Sequence, residues 1–152
     1  MADDHARAPA VDVEVDTVIR RPAAEVAAYA SDPSTAPEWY ANISAVEWKT
    51  PPPLDAGSQI AFVAHFLGRT LRYTYEIVEY TPSSLVMRTV DGPFPMETTY
   101  RYEATPEGHT RMSLRNRGTP NAFFRLARPL LQMAMRRANR KDLRALQRLL
   151  EA

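Results

Sequence analysis

Apolar and polar residues alternate with period two over most of the chain up to Gly118. Beyond it they recur with a period near 3.6, so a series of strands is expected to precede one long helix. Val11, Val13, Val15, Thr17 and Ile19 alternate with Asp12, Glu14 and Asp16, the pattern of a half-buried strand. Arg21-Pro22 ends it, and AAEVAAYA behind the proline reads as a short helix with Val26 and Tyr29 on its inner side. Asp32-Pro33 stops that helix, and STAPEWY has room for a second short turn of helix carrying Trp39. Strands follow at Ile43 to Thr50, closed by Pro51-Pro52-Pro53, and at SQIAFVAHF, where Ile60, Phe62, Ala64 and Phe66 share a face. Leu67-Gly68-Arg69 makes a hairpin into TLRYTYEIVEY, with Leu71, Tyr73, Tyr75 and Ile77 on one side.

The turns Thr81-Pro82-Ser83, Asp91-Gly92-Pro93 and Thr105-Pro106-Glu107-Gly108 then separate the strands SLVMRTV, METTYRYEA and TRMSLRNR. Met96, Thr98, Tyr100 and Tyr102 are expected to point inward, as are Met112, Leu114 and Asn116, while Glu97 and Glu103 face Arg111 and Arg115 outside. The last helix begins near Pro120-Asn121, with apolar positions at Phe123, Leu126, Leu130, Leu131, Ala134, Ala138, Leu146, Leu149 and Leu150. Pro129 removes a helical hydrogen bond at a cost of ~3 kcal/mol and is expected to kink it. A lone amphipathic helix closing a meander must bury its stripe on the sheet, and a sheet that curves around it leaves a cavity. The pattern describes a container.

Composition narrows its uses. The 152 residues, 45% apolar and 24% charged, fit one domain over residues 11–152 behind a polar tail, residues 1–10, that reads as disordered. With no cysteine, disulfides, thiolate metal sites and cysteine nucleophiles are excluded. No stretch approaches the ~18 apolar residues of a membrane span, and MADDHARAPA lacks the features of a signal peptide, so the expected place is cytoplasmic. The net charge of +1 conceals an asymmetry, −7 over residues 1–100 and +8 over residues 101–152. Arg136, Arg137, Arg140, Lys141, Arg144 and Arg148 put much of the excess on the last helix. They read first as a solvated face, so no nucleic acid is expected; a lipid-surface or protein-interaction module using this helix is the second alternative to the main reading.

Strand, two short helices, a six-strand meander and a long C-terminal helix is the order of the helix-grip fold. IRRPAAEVAAYASDPSTAPEW (Ile19 to Trp39), YTYEIVEYTPSSLVMRT (Tyr73 to Thr89) and DLRALQRLLE (Asp142 to Glu151) resemble the START-like (SRPBCC) superfamily, more narrowly its polyketide cyclase/dehydrase-like branch. The resemblance implies an α+β fold in which a curved antiparallel sheet of about seven strands grips the terminal helix. It also implies a pocket between them that accepts a hydrophobic or aromatic small molecule. The expected lining is Trp39, Phe62, Tyr73, Tyr75, Met87, Thr98 and Tyr100, with Leu126, Leu130 and Met133 from the helix.

Candidate chemistry is sparse. His5 lies in the tail, His109 in a turn, and His65 on the strand face opposite Phe62 and Phe66. Neither metal-ligand spacing nor a GxSxG serine elbow occurs, so no metal and no cofactor are expected and no catalytic residue is assigned. The inward tyrosines read first as core fillers with satisfied hydroxyls and second as groups that orient a ligand. Glu76, Glu79, Glu97 and Glu103 read as outward, which leaves a reaction without a base. Binding in a cavity is therefore the leading function, and a polyketide cyclase or dehydratase, favoured by any inward ionisable group near the tyrosines, is the alternative. The sequence does not fix an oligomeric state, and a homodimer through an exposed edge strand or helix is compatible with it.

Overall fold

The computed structural model describes residues 11–119 and 128–152. The expected tail, His5 and the start of the last helix, with Phe123 and Leu126, lie outside the described residues.

The first strand, β1 (Val11–Ile19), leads through Pro22 into α1 (Ala23–Ala30), a 3-10 turn at Pro33–Thr35 and the short helix α2 (Ala36–Trp39). Six strands follow, β2 (Ile43–Trp48), β3 (Gln59–Phe66), β4 (Arg69–Thr81), β5 (Ser84–Asp91), β6 (Met96–Ala104) and β7 (Thr110–Gly118), and then α3 (Arg128–Glu151). The strands form one antiparallel seven-stranded sheet in the order β1-β7-β6-β5-β4-β3-β2. The meander from β2 to β7 is thus continuous, and β1 returns beside β7. Leu67 and Gly68, with φ of 51° and 74°, close the β3–β4 hairpin in the left-handed conformation that matches the twist of paired strands. Register shifts in β2 near Ser44 and in β4 near Val78 interrupt the ladder and curl the sheet, as bulges do.

The concave face carries the core. Val13, Val15, Ile60, Phe62, Leu71, Ile77, Leu85, Tyr100, Tyr102, Met112 and Leu114 are buried on it, with Val26, Ala30 and Trp39 from the short helices. Tyr29 is half-buried and packs against this core, and its hydroxyl donates to the Glu38 carboxylate. On the convex face Glu103 stands opposite Arg111 in the β6–β7 register, as expected, while the ion pairs that form run elsewhere. Glu97 accepts from both Arg88 and Arg117, while Arg115 holds Asp12 through two bonds of 2.9 and 2.7 Å and Arg111 reaches Asp16. The acidic partners of β7 come largely from β1, a strand far away in sequence whose pairing only the closed topology supplies.

Helix α3 lies along β1 and covers that edge of the sheet. Arg21 Nε donates to the Leu150 carbonyl at 2.6 Å, and Gln147 Nε2 to the Val18 carbonyl at 3.0 Å. Its buried residues are Leu131, Met135, Asn139, Asp142, Leu143 and Leu146. Leu130 and Met133, expected inside, are 55% and 63% exposed. Each residue turns a helix by about 100°, so the neighbours of Leu131 and Met135 fall on the other side. Pro129 is the second residue of the described helix, and the kink expected there involves residues outside the described ones.

The face of α3 can be tested by truncation. Leu146→Ala, at a fully buried position, should lower unfolding free energy by about 2–5 kcal/mol, whereas Leu130→Ala should stay within about 0.5 kcal/mol. Equal losses in urea denaturation would show that the helix is seated on another face.

Candidate ligand cavity

Between the concave sheet and α3 lies a cavity of about 150 Å³. This is the volume at which an apolar protein cavity admits roughly one benzene ring. Phe62, Leu71, Ile77, Leu85, Met87 and Phe94 supply much of its apolar wall, with Leu131, Met135 and Ala138 contributed by α3. Phe62 meets Tyr75 edge-on at 5.7 Å between ring centres, and Tyr73 meets Phe94 likewise at 6.1 Å. A Cβ on Gly92 would stand 2.5 Å from the Tyr73 ring, so the β5–β6 turn needs glycine there to let that ring sit against the cavity.

Of the expected lining residues, the structure brings Phe62, Tyr73, Tyr75, Met87, Thr98 and Tyr100 together around this space. Trp39 is buried behind the wall, stacked at 4.0 Å on Tyr40 and 5.8 Å from Tyr100. Leu130 and Met133 are on the solvent side, and Leu131 and Met135 take their place. Leu126 lies outside the described residues. His65 points outward, within hydrogen-bonding distance of Ser44 and Thr70. Among the described residues no three His, Asp or Glu side chains gather as a metal ion would require.

Two clusters of polar groups stand on the wall, apart from Ser31, Asp32, Asn42 and Tyr73, which also line the space. In one, Thr98 Oγ1 donates to Asn116 Oδ1 at 2.6 Å, beside Tyr75. In the other, the Tyr40 and Tyr100 hydroxyls lie 2.5 Å apart, close to Asp142 and lining the same space as Asn139. Two hydroxyls joined by one hydrogen bond retain a second hydrogen to donate. Tyr102 stands apart, its hydroxyl 2.8 Å from Ser31.

Asp142 is the residue that periodicity alone passed over. Its side chain is buried on the inner face of α3, and Oδ1 accepts from the Ala41 backbone N–H at 3.0 Å, tying the α2–β2 junction to the helix. Burial pushes its carboxyl up to about 6, a rise only partly offset by the Ala41 bond and by Lys141. Burial likewise raises Tyr40, Tyr100 and Tyr75, most strongly the first two, which keeps their hydroxyls protonated. Asn139, one turn before Asp142, is 6% exposed, and its Nδ2 has no hydrogen-bond partner among the described residues. The available signal was Leu131, Met135, Ala138, Asp142 and Leu146, spaced four, three, four and four, a stripe with one carboxylate in it.

A family model described as polyketide cyclase/dehydrase and lipid transport matches residues 10–151. The chain belongs to this family. Solved structures with the same fold include TTHA0849 from Thermus thermophilus, with a TM-score of 0.78 at 20% identity over 90% of this chain and 94% of that one. The Zhui aromatase/cyclase of a Streptomyces species gives 0.76 at 17% identity, covering 92% and 93%. A START superfamily protein from Mycobacterium smegmatis gives 0.75 at 14% identity, covering 92% and 97%. No curated protein matches the sequence. Identities this low carry the fold, so the chemistry must be argued from the cavity itself.

The elevated carboxyl of Asp142 has a consequence for stability. Because the folded state prefers the protonated acid, its contribution is greatest below about pH 4 and is lost as pH rises through about 6. Asp142→Asn keeps an acceptor for Ala41 without the buried charge. Relative to wild type it should gain stability between pH 4 and pH 8, by up to roughly 3 kcal/mol for a two-unit shift. A stability difference that stays flat across that range in urea titrations would remove the buried carboxylate from the account.

Proposed function

We propose that residues 11–152 act as one START-like domain that takes up a hydrophobic or aromatic small molecule between the sheet and α3. The observation that carries this reading is the cavity itself, a largely apolar space held open inside the core with a minority of polar side chains on its wall. Apolar burial supplies affinity at roughly 25 cal/mol per Å² removed from water, and the few polar atoms set orientation. The residues given this role are Phe62, Tyr73, Tyr75 and Met87 on the sheet and Phe94 in the β5–β6 turn, with Leu131 and Met135 on the helix.

A polyketide cyclase or dehydratase is the second reading, favoured by one specific observation. Asp142 places a carboxyl titrating near neutrality beside the Tyr40–Tyr100 pair on the cavity wall. A carboxylate there could accept a proton from carbon next to a ketone while a tyrosine hydroxyl stabilises the oxygen on which negative charge develops. The family's description and the aromatase/cyclase among the similar structures support this direction without assigning a substrate.

Cavity binding is tested by heat denaturation with toluene as the probe, preceded by native mass spectrometry to identify any co-purifying compound. Saturating toluene at about one hundred times its dissociation constant should raise Tm by roughly 5–10 °C. Ala138→Phe, which fills the space from the helix side, should fold and lose that response. An unchanged Tm with toluene, or an equal rise in the filled variant, would place apolar binding elsewhere or nowhere.

A further inference from the structure

Asn42, Asn116 and Asn139 line the cavity, and the last two differ in one respect. Asn116 Oδ1 accepts from Thr98, whereas Asn139 Nδ2 is buried without a partner among the described residues. A buried N–H left unpaired costs about 1–3 kcal/mol, so a fold that keeps one on a cavity wall gains that amount from any ligand that accepts from it. One turn further along the same face stands Asp142, whose Oδ1 is taken by Ala41. The groups facing Asp142 are Tyr40 from the α2–β2 junction and Tyr100 from β6, neither of them cationic. Asp32 adds a second acid to the lining, and Lys141, the neighbouring cation, is exposed on the outer side of the helix. Among the described residues no arginine or lysine lines the cavity.

We propose that the cavity selects an uncharged aromatic carbonyl compound of about one ring, whose oxygen accepts from Asn139 Nδ2, while Asp142 disfavours ligands that end in a carboxylate. The proposal rests on the cavity reading above and names the chemical class that the site takes. The ring lies against Phe62, Tyr73, Tyr75 and Phe94, and the carbonyl points to α3. A second hydrogen is within the site's means, because the Tyr40–Tyr100 pair retains one to donate. A ligand of the same shape lacking the oxygen leaves the Asn139 N–H unpaired and forfeits its share of binding. A carboxylate of that shape meets acids and no compensating cation, and its burial is unfavourable.

Acetophenone, α-methylstyrene and benzoate have nearly one shape and differ at this end, as carbonyl, methylidene and carboxylate. Their affinities are measured by calorimetry at pH 8 for the full chain and for two variants. Asn139→Leu should lower the ratio of acetophenone to α-methylstyrene affinity about tenfold, chiefly by weakening acetophenone. Asp142→Asn should raise benzoate affinity at least several-fold with little change for α-methylstyrene. The infrared carbonyl stretch of acetophenone bound to the unmodified protein should fall below its value in an alkane, a readout that does not depend on Asn139→Leu folding. A ratio unchanged by Asn139→Leu, or an alkane-like stretch, overturns the assignment of Asn139 while α-methylstyrene binding upholds the cavity. Benzoate binding as tightly as acetophenone overturns the role given to Asp142. If none of the three probes binds, the cavity reading fails with the proposal.

Discussion

One geometric constraint governs this molecule: a seven-stranded sheet presents a wide concave apolar face and a single helix is available to cover it. Helix α3 cannot lie everywhere at once. It is held to one side, against β1, by packing and by the Arg21 and Gln147 side chains that donate to backbone carbonyls across the seam. Opposite that seam, Phe62, Tyr73 and Tyr75 from the far strands and Phe94 from the β5–β6 turn must meet one another instead of a helix, and side chains of fixed size leave a gap there. The cavity follows from where the helix is anchored, and the bulges that curl β2 and β4 keep its far wall from flattening away.

The strands were legible because their faces differ in chemistry. Val13 against Asp12 and Glu14, or Met112 and Leu114 against Arg111 and Arg115, leave only one register that buries the apolar set, and the structure adopts it. The inward tyrosines and Thr98 were legible by the same rule. The helix was read less well because Leu130 and Leu131 are adjacent and both apolar, so composition cannot say which faces in. Covering β1 settles that choice, and it depends on contacts more than a hundred residues apart. Trp39 was expected on the wall because it is large and aromatic; Tyr40, the next residue, stands in front of it and carries the hydroxyl. Asn139 and Asp142 were missed for a different reason. Polar residues on a basic terminal helix are ordinarily solvated, and only the buried stripe running through them says otherwise.

Within the cavity the polar groups divide by how they respond to pH. The tyrosine hydroxyls, pushed upward by burial, stay neutral donors around neutral pH. Asp142 is the lining group whose charge shifts near neutrality, with a carboxyl raised to about 6. Its charge is set against a background of tyrosine and asparagine dipoles, with Asp32 as the other acid of the lining.

The Asp142 side chain also separates the two activities joined in the family's description. A carrier for an apolar molecule gains no affinity from a buried carboxylate, which opposes folding at neutral pH by as much as a few kcal/mol and narrows the range of ligands. Proton transfer, by contrast, needs a base whose affinity for a proton lies near the working pH, and burial beside neutral hydroxyl donors is how proteins produce one. Asparagine at this position could hold the Ala41 N–H equally well, so anchoring the α2–β2 junction does not account for the acid. Two explanations remain, selection against acidic ligands and proton transfer to a bound ketone, and both need the carboxylate to face the ligand. They part on turnover: selection is complete once a neutral carbonyl compound is seated, whereas a base would exchange the hydrogens on carbon next to that carbonyl for solvent deuterium at a rate that falls as Asp142 becomes protonated.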